Sequence, residues 1–377
     1  MGTFFKSEQS ILGGSKTLAR DYYTSNEVFA AETERIFTRQ WFCADHLSRI
    51  PNIGDYFLIE AFGESIIILR DQNDHIRAFY NVCRHRGTHM CEAAEGRFGK
   101  SIQCPYHAWT YGLDGKLIGA PLMKEVEDFN KEEYPLYTVN LQVWEGFIFL
   151  NLARSPERFE QVFSPLFNKF DSWNLPLLKP TKRITYDVKA NWKFIFQNYN
   201  ECYHCPPVHP QLAKISPSNS GENDLIRGRF IGGFMLIDGA ASLTLTGQTC
   251  ALPVGDLKHE DHQRVYYYSL SPNMLLSLHP DYVLFHTLWP QSPVQTIIHC
   301  EWLFHPDNFG RTDFHPEDGI EFWDITNRQD WHMCELSQIG VSSRAYQPGP
   351  YSPREALPAA FDEHYRKVMN EGQLGTA

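Results

Sequence analysis

Short apolar runs separated by turn formers fill the chain between residues 53 and 152. Four of them are rich in isoleucine, phenylalanine and tyrosine: residues 56–59, 65–69, 76–80 and 147–150. Such runs, bounded by turns such as 71–74 and 114–115, are typical of antiparallel strands. The pattern predicts a small antiparallel β domain with its edges near residues 40 and 155.

Beyond residue 155, helical spacing alternates with further strand-like runs. Apolar residues recur with the α-helical period near 159–173, 189–205 and 318–339. Strand-like runs lie between the last two of these stretches, at residues 228–237, 274–278, 282–285 and 296–304. Helices that flank a series of antiparallel strands predict a second domain of the α+β class. Near the N-terminus, Ser25 offers a cap for one more helix within residues 15–40.

Length and charge narrow the possible partners. The chain has 377 residues, of which 42% are hydrophobic, enough for two domains with substantial cores. Its net charge is −11 and it has no dense run of lysine and arginine, so we expect neither nucleic acid nor anionic membrane as a partner. We see neither a secretory signal pattern nor an apolar run of about 20 residues, and therefore expect a cytoplasmic location.

Two Cys/His pairs in the first domain carry the strongest chemical signal. Cys83 and His85 form one pair, and Cys104 and His107 form the other. Two thiolates and two imidazoles suit a Rieske [2Fe–2S] cluster, in which one iron takes both sulfurs and the other takes both nitrogens. A Cys₂His₂ zinc site uses the same ligand types. Zinc fingers, however, usually pair like ligands within one arm, whereas each arm here is mixed.

The segments around these pairs, residues 83–88 and 104–115, resemble the Rieske domain of bacterial Rieske non-haem iron oxygenases. Gly87 and Tyr106 stand in the regions where the Rieske proteins of respiratory chains carry an extra cysteine, which favours the oxygenase type. The resemblance implies a second, helix-grip-type domain, in which an antiparallel sheet surrounds a long helix over a deep cavity. The implied domains are residues 40–155 for the cluster, and residues 1–39 with 156–377 for a catalytic mononuclear iron.

The segment 191–210 holds a second candidate metal site. Regularly spaced apolar residues predict a helix that continues until the proline pair 206–207 ends it. His204 then lies in the last turn and His209 lies beyond the bend, so both rings can turn toward one point.

A mononuclear iron that activates O₂ needs one carboxylate besides two histidines. The helix predicted near 318–339 offers Asp324 and Asp330. Asp330 shares an inward-facing stripe with Trp323 and Cys334, whereas Asp324 lies on another face and is expected in solvent. The predicted iron ligands are His204, His209 and Asp330.

The resemblance adds further roles in the second domain. In the related oxygenases the iron aspartate is followed by a glutamate and a glutamine at the spacing of Asp330, Glu335 and Gln338. Asn198 matches a position close to the iron, and we expect it to support the ligands. His332, in the same predicted helix, is expected at the surface or behind the ligands.

Glu201 matches an acidic residue that joins the two metal centres in this family. The resemblance implies a homotrimer, with a path from His107 of one subunit through Glu201 to His204 of the next. The plainer alternative is a carboxylate that only orients His204. Cys202 and Cys205 flank this site; we expect free thiols there, because a disulfide would compete with the iron geometry.

The resemblance also implies the reaction class. Electrons from NAD(P)H reach the cluster through a separate flavin/iron–sulfur reductase, since the chain has no Gly-x-Gly-x-x-Gly nucleotide motif. They then pass to Fe(II), which uses O₂ as co-substrate to oxidise a small molecule.

Substrate class is predicted from two segments, 198–210 and 117–121, which look most like glycine betaine and other quaternary-ammonium monooxygenases. This implies hydroxylation of an N-methyl group, with loss of formaldehyde. Hydroxylation or O-demethylation of an aromatic compound is an alternative, and an electron-transfer protein without oxygenase activity is another. Aromatic residues on the predicted strands serve either as walls for a cation or as ordinary core: residues 266–268, Phe230, Phe234, Phe285 and Trp289.

Overall fold

A computed structural model describes residues 3–6 and 15–374. Its β-strands are, in chain order, β1 (Phe5–Lys6), β2 (Phe42–His46), β3 (Asp55–Ala61), β4 (Glu64–Arg70), β5 (Ile76–Tyr80), β6 (Glu95–Arg97), β7 (Ser101–Gln103), β8 (Thr110–Gly112), β9 (Leu117–Gly119), β10 (Asn140–Trp144), β11 (Phe147–Asn151), β12 (Lys179–Val188), β13 (Glu222–Ile226), β14 (Phe230–Leu236), β15 (Arg264–Leu270), β16 (Met274–Leu278), β17 (Val283–Ser292) and β18 (Gln295–Phe304). Its α-helices are α1 (Asp21–Thr24), α2 (Asn26–Glu32), α3 (Phe159–Val162), α4 (Trp192–Tyr199), α5 (Cys205–Val208), α6 (Pro210–Ile215), α7 (Pro316–Val341) and α8 (Ala356–Leu374).

Residues 38–162 form one compact unit built from three antiparallel sheets. The strand orders are β10-β11-β2, β5-β4-β3-β6 and β7-β8-β9. A buried core that includes Phe79, Trp109 and Tyr111 lies between the last two sheets. The two Cys/His pairs lie in the loops that follow β5 and β7. The predicted antiparallel β domain is thereby confirmed as a fold.

The described residues up to Phe37, together with those from Phe163 onward, form the second unit. Its antiparallel sheet has eight strands in the order β1-β13-β14-β15-β16-β17-β18-β12. Helix α7 packs against β12 and α4, and α8 packs against α4 and β14. A long helix against an antiparallel sheet confirms the α+β class.

The predicted helices agree with the structure in part. The helix expected near 318–339 is α7, and Ser25 caps α2 by accepting the N–H of Val28. The helix expected near 159–173 is wrong: α3 is one turn long, and short 3₁₀ turns follow it. Asn168 and Asn174 adopt left-handed backbone conformations, which interrupt a right-handed helix. The sequence pattern predicts neither β12 nor α8.

A buried ion pair ties α2, α4 and α8 together. The side chains of Glu32 and Lys193 are both fully buried, with 2.5 Å between carboxylate and ammonium. Trp192 Nε1 donates to the same carboxylate at 2.9 Å, and the Tyr365 hydroxyl donates at 2.5 Å. Burial lowers the pKa of Lys193, although Glu32 acts against it. This network holds the helix that leads to the candidate iron site.

No helix within residues 3–6 and 15–374 combines the length and the apolar character that a membrane crossing requires.

Candidate metal centres

The loop after α4 places the first two candidate iron ligands. Helix α4 ends at Tyr199, well before the predicted end at residue 205, so that prediction is wrong. The proline pair 206–207 opens a helix instead of ending one, because proline is tolerated in the first helical turn, where its missing N–H has no partner to lose. His204 and His209 flank α5 at its two ends.

Polar side chains form hydrogen bonds with backbone groups at the point where α4 ends. Asn200 donates to the carbonyl of Phe196 at 2.6 Å. The Glu201 carboxylate accepts the backbone N–H of Tyr203 and that of His204. Local bonds of this kind compete with continuation of a helix, and here they fix the loop that presents His204.

The three predicted iron ligands meet at one point. Asp330 Oδ1 lies 3.1 Å from His204 Nε2 and 2.7 Å from His209 Nε2. One ligand atom from each of the three residues lies within 4.8 Å of the other two. Two imidazole nitrogens and one carboxylate gathered this closely suit a mononuclear non-haem iron with open coordination positions. That these residues bind iron remains a prediction.

The second ring nitrogen of each histidine, Nδ1, also lies next to a side-chain oxygen. His204 Nδ1 lies 2.5 Å from Glu201 Oε1, and His209 Nδ1 lies 2.8 Å from Gln329 Oε1. An acceptor on Nδ1 keeps the proton on that nitrogen and leaves Nε2 with its lone pair for a metal. The donor set and its supporting groups therefore fit a divalent iron.

The electrostatics of these side chains agree with a cation position. Burial disfavours a charged His204, but hydrogen bonds to Asp330 and Glu201 outweigh it and raise the pKa of His204 to about 10. Burial likewise raises the pKa of Asp330, but hydrogen bonds from His204 and His209 lower it to about 2. The carboxylates of Asp330 and Glu201 thus favour positive charge at this point, as the binding of a metal cation requires.

Glu335 and Gln338 couple the two segments that carry the ligands. Glu335 Oε1 accepts the backbone N–H of Lys189 at 2.9 Å, and Gln338 Oε1 accepts that of Asn191, also at 2.9 Å. Asn191 is the cap of α4, and α7 carries Asp330. The glutamate and glutamine of the family pattern thus tie α7 to the start of α4 in this chain.

The structure places three further residues named in the sequence analysis, one of them differently from the prediction. Asn198 Nδ2 lies 3.4 Å from His204 Nε2, next to the three ligands. His332 is exposed. The prediction that Asp324 lies in solvent is wrong. Tyr186 and Arg328 donate to its carboxylate, because β12 packs alongside this part of α7.

Cys202 and Cys205 form a disulfide, contrary to the expectation of free thiols. The turn between them brings their Cα atoms to 4.9 Å, within the range that a disulfide spans. His204, His209 and Asp330 lie gathered next to this bond.

The two Cys/His loops of the smaller unit have matching conformations. The N–H of Gly87 donates to the carbonyl of Cys83 at 3.0 Å, and the N–H of Ala108 donates to that of Cys104 at 3.1 Å. Both Gly87 and Ala108 adopt positive φ angles, 75° and 55°. Two similar turns thus present one cysteine and one histidine each, the ligand set that a Rieske two-iron cluster uses.

The four candidate cluster ligands meet as two like pairs, histidine with histidine and cysteine with cysteine. The rings of His85 and His107 are 4.7 Å apart between centroids, and His85 Nδ1 is buried without a hydrogen-bond partner among the described residues. Burial raises the pKa of Cys83, and the adjacent Cys104 thiol raises it further. Two neighbouring thiols and two neighbouring imidazoles fit a [2Fe–2S] cluster. A zinc ion would accept the same donors, so the family of the domain decides between them.

Family models match both units. The Rieske [2Fe-2S] domain matches residues 40–130, and the ring hydroxylating alpha subunit (catalytic domain) matches residues 175–371, just over half of the chain. The chain is an oxygenase subunit of the Rieske non-haem iron oxygenase family. The first Cys/His site is thus that of a Rieske domain, not of a zinc finger.

Relatives of this oxygenase subunit carry informative names. It is 30% identical over 371 residues to the glycine betaine monooxygenase oxygenase subunit of Pseudomonas aeruginosa, covering 90% of this chain and 85% of the relative. It is 38% identical over 199 residues to the carnitine monooxygenase oxygenase subunit of Acinetobacter baumannii, covering 52% and 53%. Among solved structures, the quaternary ammonium Rieske monooxygenase CntA in complex with L-carnitine matches with a TM-score of 0.77 at 26% identity, covering 94% and 95%.

A cavity of about 330 Å³ opens onto the candidate iron ligands of the oxygenase. Its wall includes the aromatic residues Tyr199, Tyr267, Trp323 and Trp331. Trp323 and Trp331 come from α7 and Tyr267 from β15, so the long helix and the sheet close the space from two sides. The volume suits a small organic substrate.

Most of the aromatic residues proposed as cavity walls lie elsewhere. Tyr267 and Phe234 line the cavity, whereas Tyr266, Tyr268, Phe230, Phe285 and Trp289 are buried but not part of its wall. Successive side chains of a strand point to opposite faces, so a run of aromatics cannot all face one cavity.

Several side chains at the candidate site are not predicted by any sequence pattern. Gln329, which holds His209, directly precedes Asp330 and carries no motif of its own. His286 and Trp331 line the cavity from β17 and α7. The alternation along β17 predicts that His286 and Phe285 point to opposite faces of the sheet. It does not predict which of the two faces lines the cavity.

Proposed function

We propose that this oxygenase subunit hydroxylates an N-methyl group of a betaine-type quaternary ammonium, using O₂ and electrons from a separate NAD(P)H reductase. The observation that carries this proposal is the aromatic wall beside the three candidate iron ligands. Faces of Tyr and Trp rings attract a quaternary ammonium by about 0.5–2 kcal/mol each. Relatives named for glycine betaine and carnitine support the same class.

The proposed reaction balances as an oxidative N-demethylation. One oxygen atom of O₂ enters a C–H bond of the methyl group, and the other leaves as water with two electrons and two protons. In the resulting N–CH₂OH group the C–N bond breaks, its electron pair stays on nitrogen, and the hydroxyl proton is released. The products are formaldehyde and a tertiary amine.

The residues of the chain hold the groups that this chemistry needs. Cys83, His85, Cys104 and His107 would hold the [2Fe–2S] cluster, and His204, His209 and Asp330 would hold Fe(II). Bound iron would supply the activation of O₂. The aromatic wall would orient a methyl group of the cation toward the open face of the ligand set. Glu201 would orient His204 and, in a homotrimer, connect it to the partner subunit's His107.

Turnover with a substrate panel tests the proposal. The iron-loaded protein is combined with NADH and the reductase of a quaternary-ammonium oxygenase, and offered glycine betaine, carnitine, choline and aromatic acids. Formaldehyde release from an ammonium compound, lost in both the His204→Ala and the His209→Ala variants, is the expected result. Hydroxylated aromatic product with no formaldehyde would replace the proposal by ring oxidation. Reduction of the cluster without any product would indicate an electron-transfer protein.

A further inference from the structure

His286 is a buried polar side chain on the wall of the cavity beside the candidate iron ligands. It lies on β17, is 2% exposed and lines the same cavity as His204, His209 and Asp330. Neither ring nitrogen makes a hydrogen bond of good geometry to a described residue, although the side chain of Asn327 lies close enough to interact with the ring. Buried polar groups nearly always have a hydrogen-bond partner. An unpaired group on a cavity wall therefore indicates that a ligand in the cavity supplies that partner.

Trp331 presents the same situation next to it. It is 5% exposed, lines the cavity from α7, and its Nε1 is buried without a partner among the described residues. Its ring lies 5.9 Å from that of His286 and perpendicular to it. Indole Nε1 can only donate, and a neutral imidazole always has one N–H to donate. Two neighbouring donors without an acceptor favour an oxygen acceptor on the ligand.

The imidazole is neutral, which matters for a zwitterionic ligand. Burial lowers the pKa of His286 to about 4, against the opposing effects of Asn327 and Asp330. A fully charged arginine or imidazolium in this position would repel a quaternary ammonium held by the aromatic wall. Neutral N–H donors can bind a carboxylate through charge-assisted hydrogen bonds without that repulsion.

We infer that His286 and Trp331 form a carboxylate subsite that selects quaternary ammonium compounds with a carboxylate over analogues without one. This rests on the proposed function for the ammonium end of the ligand. The aromatic residues Tyr199, Tyr267 and Trp323 would hold that end, and the His286–Trp331 pair would hold the carboxylate. Together they would fix which end of a betaine faces the iron ligands.

Four small ligands separate the two ends of the substrate in a binding experiment. Glycine betaine carries both charges, and choline keeps the ammonium but ends in a hydroxyl group. 3,3-Dimethylbutanoate keeps the carboxylate but replaces the ammonium by a neutral tert-butyl group, and 3,3-dimethylbutanol lacks both. Isothermal titration under anaerobic conditions on the iron-loaded protein gives Kd for each ligand without any turnover.

The variants His286→Phe and Trp331→Phe remove one donor each while keeping an aromatic ring. We expect betaine and 3,3-dimethylbutanoate to bind roughly 10- to 100-fold more weakly to each variant, and the Kd of choline to change less than about threefold. His286→Gln retains an N–H donor and should recover part of the lost affinity. His279→Phe is the matched control, because His279 is equally buried and equally unpartnered but does not line the cavity; it should bind all four ligands like the wild type.

Two outcomes would overturn the carboxylate subsite. Unchanged betaine affinity in both phenylalanine variants would mean that buried water satisfies the two donors. Equal losses for betaine and choline would mean that the rings serve only as walls. Circular dichroism of each variant confirms that it is folded, and the two variants are independent of one another. If wild-type protein binds 3,3-dimethylbutanoate through His286 but binds no ammonium compound, the subsite stands and the proposed function fails; the reverse pattern rejects the subsite alone.

Discussion

The buried Glu32–Lys193 pair should be indispensable as a pair yet replaceable as a whole. Both side chains are fully buried, and the ammonium lies 2.5 Å from the carboxylate. Lys193→Met removes the cation and leaves a buried carboxylate with Trp192 and Tyr365 as its remaining donors. Losing one partner of such a pair costs about 3–5 kcal/mol, because the other charge stays out of water without compensation.

The loss should be visible as a lower unfolding temperature of the larger unit. At roughly 2–4 °C per kcal/mol for a unit of this size, the expected decrease is roughly 6–20 °C. Scanning calorimetry on metal-free protein measures it without the additional stabilisation that bound metal would give. The double variant Glu32→Gln with Lys193→Met removes both charges. Its amide oxygen can still accept from Trp192 Nε1, and its amide nitrogen can donate to the Tyr365 hydroxyl, which accepts as well as donates. We expect it to recover all but about 1–2 kcal/mol of the loss.

The comparison between the single and double variants tests whether the uncompensated carboxylate causes the loss of stability. Equal unfolding temperatures for Lys193→Met and the double variant would show that the uncompensated charge is not the cause. A decrease below about 2 °C in Lys193→Met would show that the ammonium contributes little in its buried position. Lys189→Met is the matched control, since its ammonium pairs with Asp187 at the surface and exposed pairs contribute roughly 0–1 kcal/mol.

Three further predictions concern single side chains. His279 stays neutral in the folded state because burial lowers its pKa well below that of the unfolded chain, so acid favours unfolding below about pH 6.5. In urea unfolding, the stability of His279→Phe relative to the wild type should therefore be about 2 kcal/mol higher at pH 5 than at pH 8. Equal differences at the two pH values would contradict this prediction. Gln329→Leu leaves His209 Nδ1 without its acceptor and should weaken metal binding about 10- to 100-fold in competition with a chelator, whereas exposed His332→Ala should not. Gln338→Leu leaves the buried N–H of Asn191 unpaired and should cost about 1–3 kcal/mol of unfolding free energy by calorimetry; an unchanged transition would refute the tie between α7 and α4.

Local patterns were sufficient for about half of the strands in the described residues and for the long helix. The apolar runs at 65–69, 76–80 and 274–278 coincide closely with β4, β5 and β16, because alternation and β-branched residues are properties of the segment itself. The stripe through Trp323, Asp330 and Cys334 placed Asp330 on the inner face of α7 for the same reason. β12 was missed because it is an edge strand rich in lysine and arginine, as exposed edges often are.

The details of the site depend on contacts distant in sequence. Helix α4 ends early because Glu201 and Asn200 bond to nearby backbone groups, and no helical period records this. Gln329 can hold His209 only because α5 and α7 meet. The face of β17 that lines the cavity is set by its neighbours in an eight-stranded sheet, so the choice between Phe285 and His286 is not a local property.

The carboxylate of Glu201 has room for both an orienting role and the proposed contact with a partner subunit. Its Oε1 accepts from His204 Nδ1, and its Oε2 accepts the backbone N–H of both Tyr203 and His204. A carboxylate offers about four lone-pair positions, so one remains for an outside donor. An imidazole N–H from a neighbouring subunit could take that position without displacing any of the three internal bonds. The orienting role and the proposed bridge to a partner subunit therefore do not compete, and the internal bonds would hold the carboxylate ready for the second contact.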